Sequence, residues 1–145
     1  METRLARRED LLGLLQLYRH LHPDGWLEEE PQALQVWGEI WETPGYRIVV
    51  GEEGGELVSS CTVVIVPNLT HGGRSYALVE NVVTRPDCRN RGFATACLNV
   101  ARDLAREAGC YKIMLLTGSK RESTLAFYRK AGYRSDVKTG FYQAL

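Results

Sequence analysis

The residues with the clearest chemical potential form a basic, glycine-containing turn, RNRGFAT, which begins at Arg89 and leads directly into a strongly periodic helix. The first N–H groups of a helix have no partner within it, and the helix dipole favours an anion at this end. Gly92 and Ala94 are small enough to let a ligand approach the backbone, and the two arginines can add charge-assisted hydrogen bonds to a phosphate. The turn is either a phosphate site or a helix start with solvated arginines, and spacing alone does not separate these interpretations.

A second polar feature interrupts the apolar segment YALVENVVT, which lies just upstream. Successive side chains of a strand alternate, so Glu80 and Asn81 are predicted to point to opposite faces of a sheet, with one of them facing a polar cleft. A carboxylate in such a place can remove a proton from a substrate, directly or through a water molecule. A structural ion pair explains the same carboxylate equally well.

The elements that must position these residues belong to a chain of 145 residues, 44% of them hydrophobic, which we interpret as one domain spanning 1–145. Apolar side chains at helical spacing predict helices at 10–21, 30–41, 94–108 and 122–130. Runs of β-branched residues bounded by Gly and Pro predict strands at 3–6, 46–53, 56–67, 76–84 and 111–118.

The order of these elements predicts a mixed α/β fold. The second and third strands flank Gly54 and Gly55, which favours a hairpin. The helix at 94–108 lies between two strands, and such a crossover is what a parallel pair requires, so 76–117 is predicted to form a βαβ unit. The segment after the last helix is predicted to form a β hairpin that runs to the carboxyl terminus.

Composition and motif spacing exclude several other functions. Lys and Arg number 18 and Asp and Glu also number 18, so we expect no nucleic-acid partner and no membrane partner, and we expect a soluble cytoplasmic protein. The four cysteines and three histidines are not at metal-ligand spacing, so no metal is expected. The chain contains neither a Gly-x-Gly-x-x-Gly fingerprint nor a Walker A loop.

The segment from Arg89 to Ala94 resembles the Arg/Gln-x-x-Gly-x-Gly/Ala acetyl-CoA signature of the GNAT N-acetyltransferase superfamily. The segments VENVVT, GCYKIMLLTG and FYRKAGY occur in the order used by that family, so the resemblance is strong over 76–133. Among members that act on small molecules, VENVVT and GCYKI are most similar to the glucosamine-6-phosphate N-acetyltransferases. Such local similarity leaves the substrate open.

The resemblance implies the GNAT acyl-CoA N-acyltransferase fold, in which a mixed central sheet with flanking helices contains a partly splayed parallel strand pair. Acetyl-CoA is the implied cosubstrate, with its pantetheine along one strand of that pair and its pyrophosphate at the basic turn. The implied coenzyme contacts are Val82, Val83, Thr84, Arg89, Asn90, Arg91, Gly92, Phe93, Ala94 and Thr95.

The resemblance also implies direct transfer of the acetyl group to an amine in a ternary complex. Tyr128 matches the tyrosine that lies near the departing sulfur in this family, where it serves as a general acid or hydrogen-bond donor. Glu80 is the candidate base, because an ammonium group has no lone pair until it loses a proton. A backbone N–H near Val82 is the candidate for polarising the acetyl carbonyl.

The acceptor remains the open point, and we expect a small-molecule amine. Two alternatives are a protein or peptide N-acetyltransferase and a non-catalytic acyl-CoA-binding regulatory domain. The simultaneous presence of Glu80 and Tyr128 argues against the latter. The family resemblance also makes a homodimer plausible, although no residue pattern establishes one.

Overall fold

The β-branched segments form one mixed sheet of five strands, in the order β1-β2-β3-β4-β5. The structure is a computed structural model that describes all residues 1–145. The strands are β1 (Glu2–Leu5), β2 (Tyr46–Glu53), β3 (Glu56–Val66), β4 (Tyr76–Thr84) and β5 (Ile113–Leu115). The helices are α1 (Leu11–Tyr18), α2 (Pro31–Glu42), the single turn α3 (Thr70–Gly73), α4 (Phe93–Glu107) and α5 (Glu122–Lys130). Short 3-10 turns occupy Arg8–Asp10 and Pro86–Cys88.

The strand pairing confirms the predicted mixed fold. Strands β1 to β4 pair antiparallel in sequence order, and β2 and β3 form the predicted hairpin. The pairing of β4 with β5 is parallel and joins Ala77–Val79 to Ile113–Leu115, with α4 as the crossover between them. The predicted βαβ unit is therefore present.

Helices cover both faces of the sheet because alternate residues of the inner strands are apolar on each side. Helices α1 and α2 pack against one face, where Ile48 and Val50 of β2 meet Leu14 and Trp37. Helix α4 packs against the other face, and the side chains of α5 join this second cluster. The main members of the second cluster are Val49, Cys61, Val63, Val79, Cys97, Leu98 and Ala101.

Three elements differ from the sequence-based expectation. Helix α1 ends at Tyr18 rather than at position 21, and turns lead from there towards Pro23. Strand β5 is limited to Ile113–Leu115 and is half-buried rather than fully covered, because it is the last strand of the sheet. The predicted carboxyl-terminal hairpin is wrong: 134–145 contains no strand, and no backbone hydrogen bond joins it to the rest of the chain.

None of the helices combines the length and the apolar character that crossing a bilayer would require.

A buried ion pair fixes the amino terminus to the sheet and makes stability depend on pH. Arg4 of β1 donates to both carboxylate oxygens of Asp10, at 2.7 and 3.1 Å, and the Arg7 N–H donates to the same carboxylate at 2.7 Å. Burial acts to raise the pKa of Asp10, but the Arg4 and Arg7 hydrogen bonds outweigh it, so the pKa lies below its usual value. A carboxylate with a lowered folded-state pKa stabilises the fold above its unfolded pKa, and this stabilisation is lost as pH falls through the folded pKa.

We therefore expect Asp10→Asn to lower the free energy of unfolding at neutral pH by about 3 kcal/mol, because Arg4 loses its main partner in a buried pair. The variant should also lose part of the acid dependence of stability that is expected for the unaltered chain. Urea unfolding measured at neutral pH and at several acidic values tests this. A difference between the two proteins that stays constant down to the lowest pH would contradict it.

Candidate active site

The parallel strand pair at the edge of the sheet opens part of the way along β4. The β4–β5 ladder ends at Val79 and Leu115, whereas β4 itself continues to Thr84. The backbone of β4 beyond Val79 therefore has no strand partner on its β5 side. Unpaired backbone donors and acceptors in a partly covered gap can bind an extended, amide-containing ligand in the way that an added strand would.

A β-bulge lies at the start of this gap. Ser60 pairs with Val83 and Thr62 pairs with Glu80, so Cys61 alone faces two β4 residues, Asn81 and Val82. Asn81 adopts the left-handed conformation, with φ of 53°. The regular alternation of side chains along β4 is therefore interrupted at Asn81. The prediction that Glu80 and Asn81 point to opposite faces rested on that alternation, which does not apply here. Bulges interrupt a ladder and leave an extra residue unpaired, which makes this a suitable place for a free backbone donor.

The Glu80 side chain lies on the face covered by α1 and α2. Its cross-strand partner Thr62 is itself paired with Ile48, which belongs to the core cluster under those helices. Side chains directly opposite each other on neighbouring strands share a face. Glu80 is exposed, unlike the buried Thr62 beside it. The carboxylate is therefore accessible to a substrate that approaches from the α1–α2 side.

Two hydroxyl groups near Glu80 were not indicated by the sequence. The Thr62 Oγ1 is buried and has no hydrogen-bond partner. The second hydroxyl is the phenol of Tyr18, whose pKa is raised to about 12, mainly by burial. The nearby Thr62 and Ser60 act to lower this pKa, although no hydrogen bond of ordinary geometry joins Tyr18 to either residue. No spacing rule could have found this group, because a helix and a strand distant in sequence bring it together.

The amino terminus of α4 is built to accept an anion. Gly92, the residue before the helix, has φ of 87°, and no side chain caps the first turn. The first backbone bond into the turn runs from the Ala96 N–H to the Gly92 carbonyl, so the N–H groups of Phe93, Ala94 and Thr95 have no helical acceptor. Left-handed Asn90 precedes Gly92 in the same exposed turn. Three adjacent donors thus point out of an uncapped helix end.

The arginines around this turn differ in how far their charge is already neutralised. Arg91 is paired with Glu53 at 2.5 Å, and this hydrogen bond raises the pKa of Arg91 and lowers that of Glu53. Arg85 is paired with Asp87 and Glu56, each at 2.7 Å. Arg89 forms no ion pair and makes only a long contact, 3.4 Å, from its Nε to the Thr84 carbonyl. Arg89 is therefore the cation that is free to meet an added anion.

Several predicted contact residues can contribute only through their backbone. The Phe93 side chain is 2% exposed and packs with Val58 and Cys88. The Val83 side chain is buried, and its carbonyl accepts a hydrogen bond from the Ser59 hydroxyl at 3.0 Å. The Thr84 hydroxyl is also engaged by Ser59, at 2.8 Å. Ser59 therefore fixes the strand segment along which the ligand is predicted to lie.

Tyr128 of α5 lies on the opposite face from Glu80. Its ring packs against the core cluster under α4 and is perpendicular to Tyr133, with ring centroids 6.4 Å apart. Burial raises the pKa of Tyr128, and the Cys61 thiol contributes further. Cys61 is close enough to Tyr128 to raise its pKa, and it lies opposite the bulge that follows Glu80. Tyr128 and Glu80 therefore flank the same point of the sheet from its two faces. A phenol with a raised pKa remains protonated at neutral pH and can act as a donor.

The polar groups of Trp37 and Arg74 have structural roles. Trp37 is buried, and its Nε1 donates to the Arg8 carbonyl at 3.1 Å. Arg74 donates to the carbonyls of Gly109 and Cys110, at 3.1 and 3.0 Å, and so caps the far end of α4. His22 and Trp26, in the loop between α1 and α2, are exposed.

Comparison with known proteins identifies the family and the fold of the chain. Residues 11–133 match the Acetyltransferase (GNAT) family. A glucosamine 6-phosphate N-acetyltransferase of Trypanosoma brucei brucei is 36% identical over 140 residues, which cover 93% of this chain and 90% of that protein. A solved Agrobacterium tumefaciens str. C58 protein, assigned as an acetyltransferase, has a TM-score of 0.93 and 39% identity, with 100% of each chain covered.

The glucosamine-6-phosphate N-acetyltransferase of Arabidopsis thaliana shares the fold, with a TM-score of 0.83, 21% identity and coverage of 97% of each chain. The present chain belongs to the GNAT acetyltransferase family and is an acetyl-CoA-dependent N-acetyltransferase. The resemblance inferred from the basic turn and the segments around it is confirmed, as is the predicted fold class.

The difference between the arginines predicts unequal effects on coenzyme affinity. Arg89→Gln should weaken coenzyme A binding about 10-fold, because a free guanidinium makes a charge-assisted hydrogen bond to phosphate. Arg91→Gln is the matched control and should have a smaller effect, because Glu53 already neutralises that side chain. Titration calorimetry at constant salt measures both, and a larger loss for Arg91→Gln would show that the two roles are reversed.

Proposed function

We propose that the protein transfers the acetyl group of acetyl-CoA to the amine of a small molecule by direct attack in a ternary complex. The observation that carries the proposal is the continuity of two features: the β4 backbone left unpaired beyond Val79 leads to the uncapped, basic turn before α4. An extended thioester ligand with a phosphorylated end matches both. The Trypanosoma brucei brucei relative supports an amino-sugar phosphate as the first acceptor to test.

The coenzyme would lie along Val82, Val83 and Thr84, with its pyrophosphate held by Arg89 and the N–H groups of Phe93 to Thr95. Asn90, Arg91 and Gly92 shape this turn, and Gly92 provides the left-handed residue that directs the helix N–H groups outward. The coenzyme supplies an activated acetyl group. The chain supplies orientation, because both ends of the ligand are held by fixed backbone groups.

Glu80 acts as the base, directly or through water, and takes a proton from the acceptor ammonium on the α1–α2 side. A backbone N–H at the bulge, on the Val82 side, donates to the acetyl oxygen as negative charge grows there. Tyr128 donates its phenolic proton to the departing sulfur from the α4 side. The register places Glu80 and Val82 at the bulge, and the effect of Cys61 on the Tyr128 pKa places Tyr128 near it, which supports a single bound geometry for all three groups.

A panel of amines tests this proposal, with coenzyme A release followed together with mass analysis of the amine product. The panel includes amino-sugar phosphates, the same sugars without phosphate, polyamines and peptides with a free amino terminus. We expect a small-molecule amine to be acetylated, with turnover reduced about 100-fold in Glu80→Gln. Preferred acetylation of peptides would favour the protein N-acetyltransferase alternative. Turnover that is unchanged in Glu80→Gln would remove Glu80 from the mechanism.

We further propose that the acetyltransferase is a homodimer joined through its carboxyl-terminal tail, residues 134–145. The tail forms no backbone hydrogen bonds to the rest of the chain, although it passes close to Leu116, just after the open edge of β5. Its large apolar side chains project into solvent: Val137, Phe141, Tyr142 and Leu145 are 56%, 90%, 86% and 118% exposed. Unpaired backbone and exposed apolar side chains favour pairing with another chain.

A second copy is the partner that supplies an identical tail and an identical open β5 edge. Light scattering should therefore give twice the 16.3 kDa chain mass. The double variant Phe141→Ser, Tyr142→Ser should shift the protein towards monomer. The control Leu69→Ser removes an equally exposed apolar side chain, 97% exposed, from the β3–β4 connection and should leave the mass unchanged. A monomeric unaltered chain would refute the dimer without affecting the proposed chemistry.

A further inference from the structure

The hydroxyl of Tyr133 is buried and has no hydrogen-bond partner. Among buried side-chain nitrogen and oxygen atoms, only this oxygen and Thr62 Oγ1 lack one. Native proteins almost always satisfy such groups, so an orphaned hydroxyl requires an explanation. A phenylalanine would fill the space of the Tyr133 ring equally well, so the hydroxyl is the feature to explain.

Tyr133 is held firmly beside the proposed acid. It follows α5 after Gly132, whose φ of 103° reverses the chain, and its N–H donates to the Tyr128 carbonyl at 3.0 Å. The two rings are nearly perpendicular, at 83°, with their centroids 6.4 Å apart. Phe127 packs against Tyr128 with its ring centroid 5.1 Å away. Backbone and ring contacts thus fix the position of one phenol relative to the other.

The charged and titratable groups that face Tyr133 come from three elements. They are Cys61 of β3, Tyr128 of α5 and Arg102 of α4. Burial is the main cause that raises the pKa of Tyr133 to about 12; Cys61 and Tyr128 act in the same direction, and Arg102 acts against them. Tyr133 therefore keeps its proton through the physiological range, including when a neighbouring group carries negative charge.

We propose that Tyr133 is a positioning residue whose hydroxyl donates a hydrogen bond to the Tyr128 oxygen at the moment when Tyr128 has given up its proton. This inference rests on the proposed function. As the amine nitrogen bonds to the acetyl carbon and the carbon–sulfur bond breaks, the sulfur keeps the bonding electron pair and takes the Tyr128 proton. The bonded nitrogen releases its second proton to solvent to give the neutral amide. The negative charge resides on the Tyr128 oxygen until a proton from solvent replaces the one that was lost.

A hydrogen bond to that oxygen stabilises its charged form, which forms only during turnover. The two hydroxyls are not bonded to each other, and catalytic hydrogen bonds often close only in the reacting complex. Charge-assisted hydrogen bonds are about twice as strong as neutral ones, so the orphaned donor would be most effective at this stage. Tyr133 therefore acts through Tyr128 rather than on the substrate itself.

A double-mutant cycle tests the proposal, with Tyr133→Phe, Tyr128→Phe and the double variant. Tyr133→Phe should lower kcat about 10-fold with the KM for acetyl-CoA unchanged, because one charge-assisted hydrogen bond is lost. It should cause no further loss in the Tyr128→Phe background. Its unfolding temperature should equal or exceed that of the unaltered chain, since the buried orphan hydroxyl is removed. Tyr111→Phe, a half-buried tyrosine stacked on His71, is the control and should keep full activity.

The proposal is overturned if Tyr133→Phe turns over normally, or if it lowers kcat equally with and without the Tyr128 hydroxyl. A loss of kcat that accompanies a lower unfolding temperature would also overturn it, since that result indicates a packing role. A different result would overturn the proposed function itself, namely that the unaltered chain acetylates no amine. If Tyr128→Phe alone keeps full activity, the acid role of Tyr128 fails, and the role of Tyr133 fails with it.

Discussion

Tyr128→Phe is expected to lower the turnover of acetyl transfer about 100-fold, which is at the lower end of the usual contribution of a general acid. The KM for acetyl-CoA should change little, because the ring packing against Phe127 and the core cluster is retained. The raised pKa of Tyr128, which arises from burial and the nearby Cys61 thiol, keeps the phenol protonated at neutral pH. Steady-state rates at saturating acetyl-CoA and acceptor measure the effect.

Tyr111→Phe provides the matched control, because it removes a phenol from a half-buried ring that stacks on His71 at 3.8 Å, away from the bulge. Its activity should equal that of the unaltered chain. If both phenylalanine variants show the same turnover, the proton needed by the departing sulfur comes from another source, and Tyr128 is a packing residue.

Gly92→Val is expected to weaken coenzyme A binding by about 10- to 100-fold. Gly92 has φ of 87°, and a left-handed backbone costs about 1–2 kcal/mol for a residue with a Cβ, more for a β-branched one. A Cβ at this position would meet no protein atom within 4 Å, so the effect comes from the backbone and not from overlap. A turn that relaxes to negative φ would redirect the N–H groups that receive the pyrophosphate.

Gly109→Val gives a closely matched comparison at the other end of α4. Gly109 has φ of 76°, and a Cβ there also meets nothing within 4 Å. The two valine variants should therefore lose similar stability, while only Gly92→Val loses coenzyme affinity. Thermal unfolding and calorimetric titration with coenzyme A measure the two effects separately. Equal affinity for coenzyme A in both variants would show that the turn does not hold the phosphates.

The local elements could be predicted because their patterns are complete within short segments. Helix α4 illustrates this: its buried side chains, Phe93, Cys97, Leu98, Ala101 and Ala105, recur at helical spacing between Gly92 and Gly109. The carboxyl-terminal hairpin could not be predicted correctly from β propensity. A strand needs a partner as well as suitable side chains, and the single chain provides none for 134–145.

The site was predictable where a backbone turn defines it and less so where distant segments meet. The turn from Arg89 to Thr95 is contiguous, so its chemistry follows from adjacent residues. The ion pair between Arg91 and Glu53 joins residues 38 positions apart, and only the folded sheet brings them together. The bulge at Asn81 is similar, because it depends on the register between β3 and β4.

The structure of the protein crystallised with coenzyme A tests the central claim most directly. The account predicts pantetheine in the β4–β5 gap along Val82 to Thr84, and pyrophosphate oxygens within hydrogen-bond distance of the Phe93, Ala94 and Thr95 N–H groups and of Arg89. The sulfur should lie next to the Tyr128 hydroxyl. Coenzyme A bound elsewhere on the protein, with the turn before α4 free of phosphate, would contradict it.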